Sequence, residues 1–114
     1  MVNKKYIPKQ GDICYIDFNP TKGHEQTGRR PAIVVSKDSF NRFTHMAFLC
    51  PITTNTKVFP THYELKSTNK IKGMVLCEHM RSIDFDARDI SYVECVQNGE
   101  LAEIIDIIYS FIEI

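Results

Sequence analysis

A polar segment at positions 23–31, GHEQTGRRP, holds the densest group of potentially reactive side chains in the 114-residue chain. It contains an imidazole at His24, a carboxylate at Glu25 and guanidinium groups at Arg29 and Arg30. Histidine exchanges protons near neutral pH, and the planar fork of arginine matches two oxygens of a phosphate group. The segment therefore has the groups that phosphate chemistry requires, although a glycine-bounded polar loop is more often only a solvated connection.

Cleavage of an RNA phosphodiester by its own 2′-hydroxyl is a reaction that suits these groups. The nucleophile is tethered beside the phosphate, so no metal-bound water is needed. A base must take the 2′-proton, a cation must stabilise the charge on the phosphorane, and an acid must protonate the departing 5′-oxygen. His24 and Glu25 are candidates for the proton transfers, and Arg30, beside Pro31 at the start of an apolar run, for the charge.

Two other segments carry residues that could join this site. Thr53 follows the apolar run that ends in Cys-Pro-Ile at 50–52, and its hydroxyl could donate to phosphate. The stretch CEHMR at 77–81 leaves a strand with three ionisable groups, Glu78, His79 and Arg81. Each feature alone also fits a turn-forming threonine or a charged edge strand. Their combination with the segment at 23–31 favours a functional site.

Metal or nucleotide chemistry finds little support in the sequence. Cys77 and His79 are two residues apart and would share a face of a strand, but no second close pair of ligands accompanies them. No P-loop, GxGxxG or GxSxG motif is present. We therefore expect neither a metal nor a cofactor. The four cysteines, 14, 50, 77 and 95, lie in apolar stretches and are expected to be reduced core thiols.

The elements that must position these residues are mostly short strands. Runs of β-branched, aromatic and other apolar residues between turn-forming residues predict strands at 12–18, 31–36, 46–50, 62–65, 73–78 and 90–96. Residues 38–44 are predicted to form a turn or loop. No repeat or linker divides the chain, so residues 1–114 are predicted to form a single domain.

The end of the chain changes to a helical period. Apolar residues recur along one stripe of a helix, with Asn98 as a plausible N-cap: Leu101, Ile104, Ile105, Ile108, Phe111 and Ile112. Such an amphipathic helix must pack on the sheet. The predicted fold is mainly β with a C-terminal α-helix, in which the helix closes a small, strongly bent sheet or partial barrel.

Charge is balanced overall but divided unevenly along the chain. Residues 1–72 contain 12 Lys and Arg against 5 Asp and Glu, and residues 73–114 contain 2 against 9, which gives +7 and −7. The basic half indicates a local cationic surface, although solvated faces of a mixed-charge fold are an equally good explanation. The N-terminus shows neither a signal peptide nor a transmembrane span, so we expect a cytoplasmic protein without membrane attachment.

Several motifs together resemble the MazF/PemK family of toxins from bacterial toxin–antitoxin modules. They are GDI at 11–13, DFNPTKGHEQTGRRP at 17–31 with the apolar run that follows, PIT at 51–53 and LCEHMRSID at 76–84. The resemblance covers nearly the whole chain, and the GHEQxGxRP block is far more specific than a generic glycine-rich loop.

The resemblance implies an SH3-like small barrel that forms a homodimer and cleaves single-stranded RNA without a metal ion. The products would be a 2′,3′-cyclic phosphate and a 5′-hydroxyl, translation and growth would be inhibited, and a cognate MazE/PemI-like antitoxin would block the enzyme. The family's catalytic arginine and threonine match Arg30 and Thr53, aided here by His24 and Glu25. We expect the surrounding polar residues to bind the substrate: Lys22, Gln26, Arg29, Thr54, Glu78, His79 and Arg81.

One departure from the family pattern concerns Glu78. PemK-like relatives of the Kid type pair an acid at this position with an arginine two residues earlier, where this chain has Leu76. Arg81 is a candidate replacement. Two other functions remain open at this point: a CcdB-like toxin that poisons DNA gyrase without cutting RNA, and an SH3-like interaction module. The second would need exposed aromatics, and the chain has phenylalanines at 40, 43 and 59 but no tryptophan.

Overall fold

The computed structural model describes residues 6–18 and 28–114. Within these described residues, seven strands, two α-helices and one short 3-10 turn follow each other in sequence. They are β1 (Asp12–Asp17), β2 (Arg29–Val34), α1 (Asp38–Thr44), β3 (Met46–Thr53), β4 (His62–Glu64), β5 (Met74–Leu76), the 3-10 turn (Cys77–His79), β6 (Arg81–Asp84), β7 (Ile90–Cys95) and α2 (Asn98–Ser110).

Antiparallel pairing joins the described strands in the order β4-β5-β3-β2-β1-β7, with β6 also paired to β3. The central strand β3 uses one edge for β2 and divides the other between two partners. Its first half pairs with β6, from Met46 opposite Asp84 to Leu49 opposite Arg81, and its end pairs with β5. The sheet bends where β3 passes from one partner to the other, and β4 and β7 end it without pairing to each other. The predicted bent sheet or partial barrel is confirmed.

Apolar side chains fill both faces of this sheet. One cluster, which includes Ile13, Ile33, Cys50 and Val75, is covered by α2 through the fully buried Ile104 and the nearly buried Ile108. The second cluster, on the other face, includes Cys14, Ala32 and Leu49 with the large rings of Phe18 and Phe85. Alternate residues of β1, β2 and β3 enter opposite clusters because side chains along a strand alternate in direction.

The predicted helix stripe is confirmed along its central part. Ile104 and Ile108 are buried, and Leu101 and Ile105 pack partly against the same cluster. Phe111 and Ile112 lie beyond the end of the helix and are exposed. The N-cap is Gln97 and not Asn98, which is the first helical residue.

Other predicted boundaries are wrong. Residues 38–44 form helix α1 instead of a loop, because tertiary contacts stabilise a segment too short to show a helical period: the buried Asn41 amide donates to the carbonyl of Pro8 at 2.8 Å. Strand β3 continues through Pro51 to Thr53, and β5 ends at Leu76, where the 3-10 turn begins. The short strand β6 was not predicted at all.

The cysteine prediction is only partly correct. Cys14, Cys50 and Cys77 are buried free thiols, but Cys95 is exposed. Strand β7 pairs with β1 alone among the described strands, so a residue on it can face the solvent. None of the helices in residues 6–18 and 28–114 has the length and apolar character needed to cross a membrane.

Two carboxylates hold the connection between β4 and β5. Glu100 on α2 accepts hydrogen bonds from the backbone amides of Lys66 and Ser67 at 2.6 and 2.9 Å. Glu94 on β7 accepts from the amides of residues 69–71 at 2.7–2.9 Å. Burial disfavours the ionised form of both acids, but the hydrogen bonds outweigh it, so the pKa of Glu94 and that of Glu100 are lowered. The segment is thereby attached to the sheet edge and to the helix.

The variant Glu100→Gln should lower the free energy of unfolding by about 2 kcal/mol at neutral pH, because a neutral amide cannot satisfy two backbone donors as an ionised carboxylate does. Since the folded-state pKa of Glu100 is lowered, its stabilisation is complete above the unfolded-state pKa and is lost as pH falls through the folded-state pKa. Urea unfolding at fixed protein concentration should show the gap between variant and wild type closing in acid. The exposed Glu113→Gln is the control; equal stability of Glu100→Gln and wild type at pH 7 would contradict the prediction.

Candidate functional site

The register of β2 and β3 brings Arg30 and Thr53 together. Ala32 pairs with Pro51, Ile33 with Cys50 and Val34 with Leu49, and continuing this register by two residues places Arg30 directly across from Thr53. Residues opposite each other on adjacent strands project to the same face of the sheet. Both residues are half-buried, at the ends of their strands. Arg30 and Thr53 therefore lie at corresponding positions two residues beyond the paired part of the two strands.

The hydroxyl of Thr53 is oriented by the chain that follows it. The backbone amide of Asn55 donates to Thr53 Oγ1 at 3.2 Å, which occupies an acceptor position of the hydroxyl. Thr53 donates its own hydroxyl proton to no acceptor in residues 6–18 and 28–114. A threonine hydroxyl carries one donor and two lone pairs, so Thr53 keeps its proton for a ligand.

Close packing fixes the backbone at the same point. Gly73, directly before β5, has φ +136°, and a Cβ built on it would lie 2.2 Å from the carbonyl oxygen of Thr53. A side chain there would collide with backbone and not with a flexible group. Glycine at position 73 thus allows the end of β3 to approach the start of β5, where Thr53 pairs with Met74.

A cleft of about 180 Å³ opens beside Thr53. The residues that line it come from the end of β3, the segment after it, the edge of β4 and the 3-10 turn: Thr53, Asn55, Lys57, His62, Leu76, Glu78 and His79. The structure therefore unites three residues that the sequence predicted separately, Thr53, Glu78 and His79, and adds His62 and Lys57, which it did not predict.

Glu78 is the most heavily hydrogen-bonded side chain of this cleft. Its Oε1 accepts from the Thr61 hydroxyl at 2.7 Å, and its Oε2 lies 2.7 Å from His62 Nε2 and 3.8 Å from His79 Nε2. Partial burial opposes ionisation of Glu78, but the hydrogen bonds from Thr61 and His62 outweigh it and lower its pKa. Glu78 is therefore an anion at neutral pH, held by Thr61, in the turn before β4, and by His62, the first residue of β4.

Three other predicted residues lie away from this cleft. Arg29 projects to the opposite face from Arg30, where it contacts Asp89 at 3.3 Å and Ser91 at 3.0 Å. Thr54 lines a separate cleft of about 220 Å³. Arg81 donates to the carbonyl of Phe18 at 3.3 Å, and its guanidinium carbon lies 5.7 Å from the centre of the Phe18 ring. Arg81 is therefore bound near the end of β1, and it is not the residue that contacts Glu78.

The remaining predicted residues, Lys22, His24, Glu25 and Gln26, lie outside the described residues. The ends of their segment are joined by a hydrogen bond from the amide of Phe18 to the carbonyl of Gly28, at 2.9 Å. Gly28 immediately precedes β2, the strand that carries Arg30. Residues 6–18 and 28–114 contain no group of three His, Cys, Asp or Glu side chains arranged to hold a metal ion.

Sequence reasoning did not predict His62 as a site residue. His62 begins the alternating stretch HYEL, in which Tyr63 and Leu65 are the more apolar positions, and nothing in the sequence links it to a carboxylate 16 residues later. The link comes from the register of β4 and β5, in which His62 is directly opposite Leu76.

Comparison with known proteins identifies the family of this chain. Residues 9–112 match the family model described as PemK-like, MazF-like toxin of type II toxin–antitoxin system. The chain is 39% identical over 97 residues to the endoribonuclease toxin MazF of Escherichia coli K12, an alignment that covers 85% of this chain and 86% of that protein.

Solved structures give the same result. A crystal structure of MazF from Deinococcus radiodurans superimposes with a TM-score of 0.89 at 33% identity, covering 96% of this chain and all of that one. A crystal structure of MazE-MazF from the same organism gives a TM-score of 0.82 at 28% identity, covering 96% and 99% of the two chains. With a family model matching almost its full length, the chain belongs to the PemK-like, MazF-like toxins of type II toxin–antitoxin systems.

Proposed function

We propose that this chain is an endoribonuclease toxin that cleaves single-stranded RNA by attack of a ribose 2′-hydroxyl on the adjacent phosphate. The E. coli relative is an endoribonuclease toxin, and this chain covers 86% of it. The proposal is supported by the β2–β3 register, which aligns Arg30 with Thr53 when it is continued two residues beyond Ala32 and Pro51, and by the open cleft that Thr53 lines. This pairing offers a cation and a neutral donor to one phosphate.

The proposed reaction follows from what each group can supply. A base removes the 2′-proton, the 2′-oxygen bonds to phosphorus, and the bond to the 5′-oxygen breaks as that oxygen takes up a proton. Arg30 and Thr53 stabilise the negative charge that accumulates on the non-bridging oxygens of the phosphorane. His24 and Glu25 remain the predicted participants in proton transfer. The products are a 2′,3′-cyclic phosphate and a 5′-hydroxyl.

The alternative of a gyrase-poisoning toxin receives no support. The family model and the relatives with endoribonuclease names favour RNA cleavage over a CcdB-like action on gyrase. A simple interaction module would not require a polar cleft lined by Thr53, Glu78 and His79.

We propose the same partners that the family resemblance implies. The relative from D. radiodurans has been crystallised as MazE-MazF, so a MazE-like antitoxin is the expected inhibitor of this chain. We also propose a homodimer acting on RNA in the cytoplasm, and substrate contacts from Lys22, Gln26 and Arg29. These contacts add to those of the described cleft residues.

Purified protein should cleave a long single-stranded RNA at a small number of recurring sites, and the cleavage should persist in excess EDTA. The tethered nucleophile makes a metal-bound water unnecessary. Primer extension would locate the cuts, and the upstream products should end in a 2′,3′-cyclic phosphate. Intact RNA at stoichiometric protein, or activity abolished by EDTA, would be evidence against the proposed function.

Arg30→Ala should lower the cleavage rate by about two powers of ten or more, the usual cost of removing one donor that stabilises a developing oxyanion. Arg42→Ala, on the exposed side of α1, removes the same charge elsewhere and should leave the rate unchanged. Both variants need a urea midpoint to show that they fold. A rate for Arg30→Ala within threefold of wild type would remove Arg30 from the site.

Thr53→Val should lower the cleavage rate by roughly tenfold to a hundredfold, whereas Thr53→Ser should keep most of it, because only the hydroxyl is required as a donor to phosphate. The two substitutions separate the hydroxyl from the β-branched shape that suits the end of a strand. Single-turnover kinetics on a short RNA would measure the difference. Equal rates in the two variants would assign Thr53 a structural role.

A further inference from the structure

The contact between His62 and Glu78, here called the His62–Glu78 pair, forms one wall of the Thr53 cleft and takes no part in the reaction proposed above. His62 is the first residue of β4, and Glu78 lies in the 3-10 turn that follows β5. His62 Nε2 lies 2.7 Å from Glu78 Oε2. The His62 side chain is 12% exposed and the Glu78 side chain 34%. The pair is therefore accessible at the carboxylate and largely enclosed at the imidazole.

Both nitrogens of His62 face acceptors. Nδ1 lies 3.1 Å from the carbonyl oxygen of Lys57, which can only accept, and Nε2 faces the carboxylate of Glu78. A neutral imidazole has one donor and one acceptor nitrogen, so it cannot satisfy both contacts. With Glu78 ionised, both contacts form only when His62 carries two protons. His62 is then a cation, and the ring of Phe59, 5.3 Å away, packs against it.

The strand pairing explains why His62, and not a residue of β5, contacts Glu78. His62 lies directly across from Leu76 in the β4–β5 pairing, two residues before Glu78 along the chain. An apolar residue at 76 cannot offer Glu78 a charge from the same strand. The cross-strand neighbour of Leu76 offers it instead, and Arg81 is bound elsewhere at Phe18.

We infer that His62 is a positioning residue for RNA cleavage: as an imidazolium it keeps Glu78 ionised and fixed in orientation beside Thr53, where Glu78 contacts the nucleotide that flanks the scissile phosphate. The inference rests on the proposed function. Thr61 donates to Oε1 of Glu78 and His62 lies against Oε2, and the carboxylate, 34% exposed, can still accept from a donor group of the nucleotide.

Other charged groups around the pair come from each neighbouring element. Lys57 also lines the cleft, and His79 lies 3.8 Å from Glu78, too far for a hydrogen bond. On β3, hydrogen bonding to Cys77, together with burial, keeps the pKa of the Cys50 thiol well above its usual value, so it stays neutral. Glu103 of α2 binds Tyr63 at 2.6 Å, on the other face of β4. His62 is thus the cation in direct contact with Glu78.

A dependence on pH follows from the two groups. On the acid side the pair persists until Glu78 is protonated, which occurs below the usual range of a glutamate because its pKa is lowered. Cleavage should therefore contain an acid fall that belongs to Glu78 and lies below the usual range of a glutamate.

The test compares His62→Gln, Glu78→Gln and the double variant with wild type, measuring kcat/KM for RNA cleavage against pH. His62→Gln should lose about tenfold at pH 7, less than the roughly hundredfold that a fully misplaced group can cost, because glutamine keeps one N–H donor. The acid fall assigned to Glu78 should move to higher pH, because His62 no longer lowers the pKa of Glu78. In the double variant the loss should match that of Glu78→Gln alone, within about twofold, as expected when one residue acts through the other.

His45→Gln is the matched control, because His45 makes a similar exposed contact, 2.6 Å to Asp86, away from the cleft. It should leave rate and profile unchanged. The wild-type rate and profile in His62→Gln, or losses that multiply in the double variant, would overturn the inference. If His62→Gln does not fold, an unchanged acid fall in Glu78→Gln would overturn it equally.

The failure of this inference can be distinguished from failure of the proposed function. NMR of wild-type protein should show protons on both ring nitrogens of His62 at neutral pH, without any RNA. A protein with that signature that cleaves no RNA retains the pair but contradicts the proposed function and the positioning role. Cleavage by wild type with a singly protonated His62 contradicts only the inference.

Discussion

The end of strand β3 is the constraint on which the rest of the site depends. At Thr53 this strand pairs with β5, and two residues earlier, at Pro51, it pairs with β2, so the end of β3 lies between the strands that lead to Arg30 and to Glu78. Arg30 arrives through the first pairing, and Glu78 through the turn that follows the second. Neither needs a long flexible loop to reach Thr53. The absence of a side chain at Gly73 makes this close approach possible.

The acid in the cleft shows how a sheet can replace one residue with another that is distant in sequence. Leu76 removes the cation that Kid-type relatives carry on the same strand, and a histidine on the neighbouring strand occupies the facing position. The exchange is not chemically neutral. An arginine keeps its charge at every physiological pH, whereas a histidine does not. Glu78 is therefore in contact with a group whose charge can change, in place of a group whose charge is fixed.

Sequence reasoning identified the fold class and the C-terminal helix, because these depend on local period, and it predicted the pair Arg30 and Thr53 from a specific motif. It failed where tertiary contacts decide. Helix α1 is too short to show a period, and its buried Asn41 is held by contacts with residues far away in sequence. His62 was missed for a related reason, because its role depends on strand register. Arg81 was given a partner that the bend of the sheet does not bring near it.

Glu94 on β7 and Glu100 on α2 hold the chain between β4 and β5 through hydrogen bonds to its backbone amides. That chain joins the strand that carries His62 to the strand that leads to Glu78. The position of the chain between His62 and Glu78 is therefore fixed by β7 and α2, which lie outside the β4–β5 hairpin. A partner that binds α2 or β7 would therefore change the shape of the cleft without entering it.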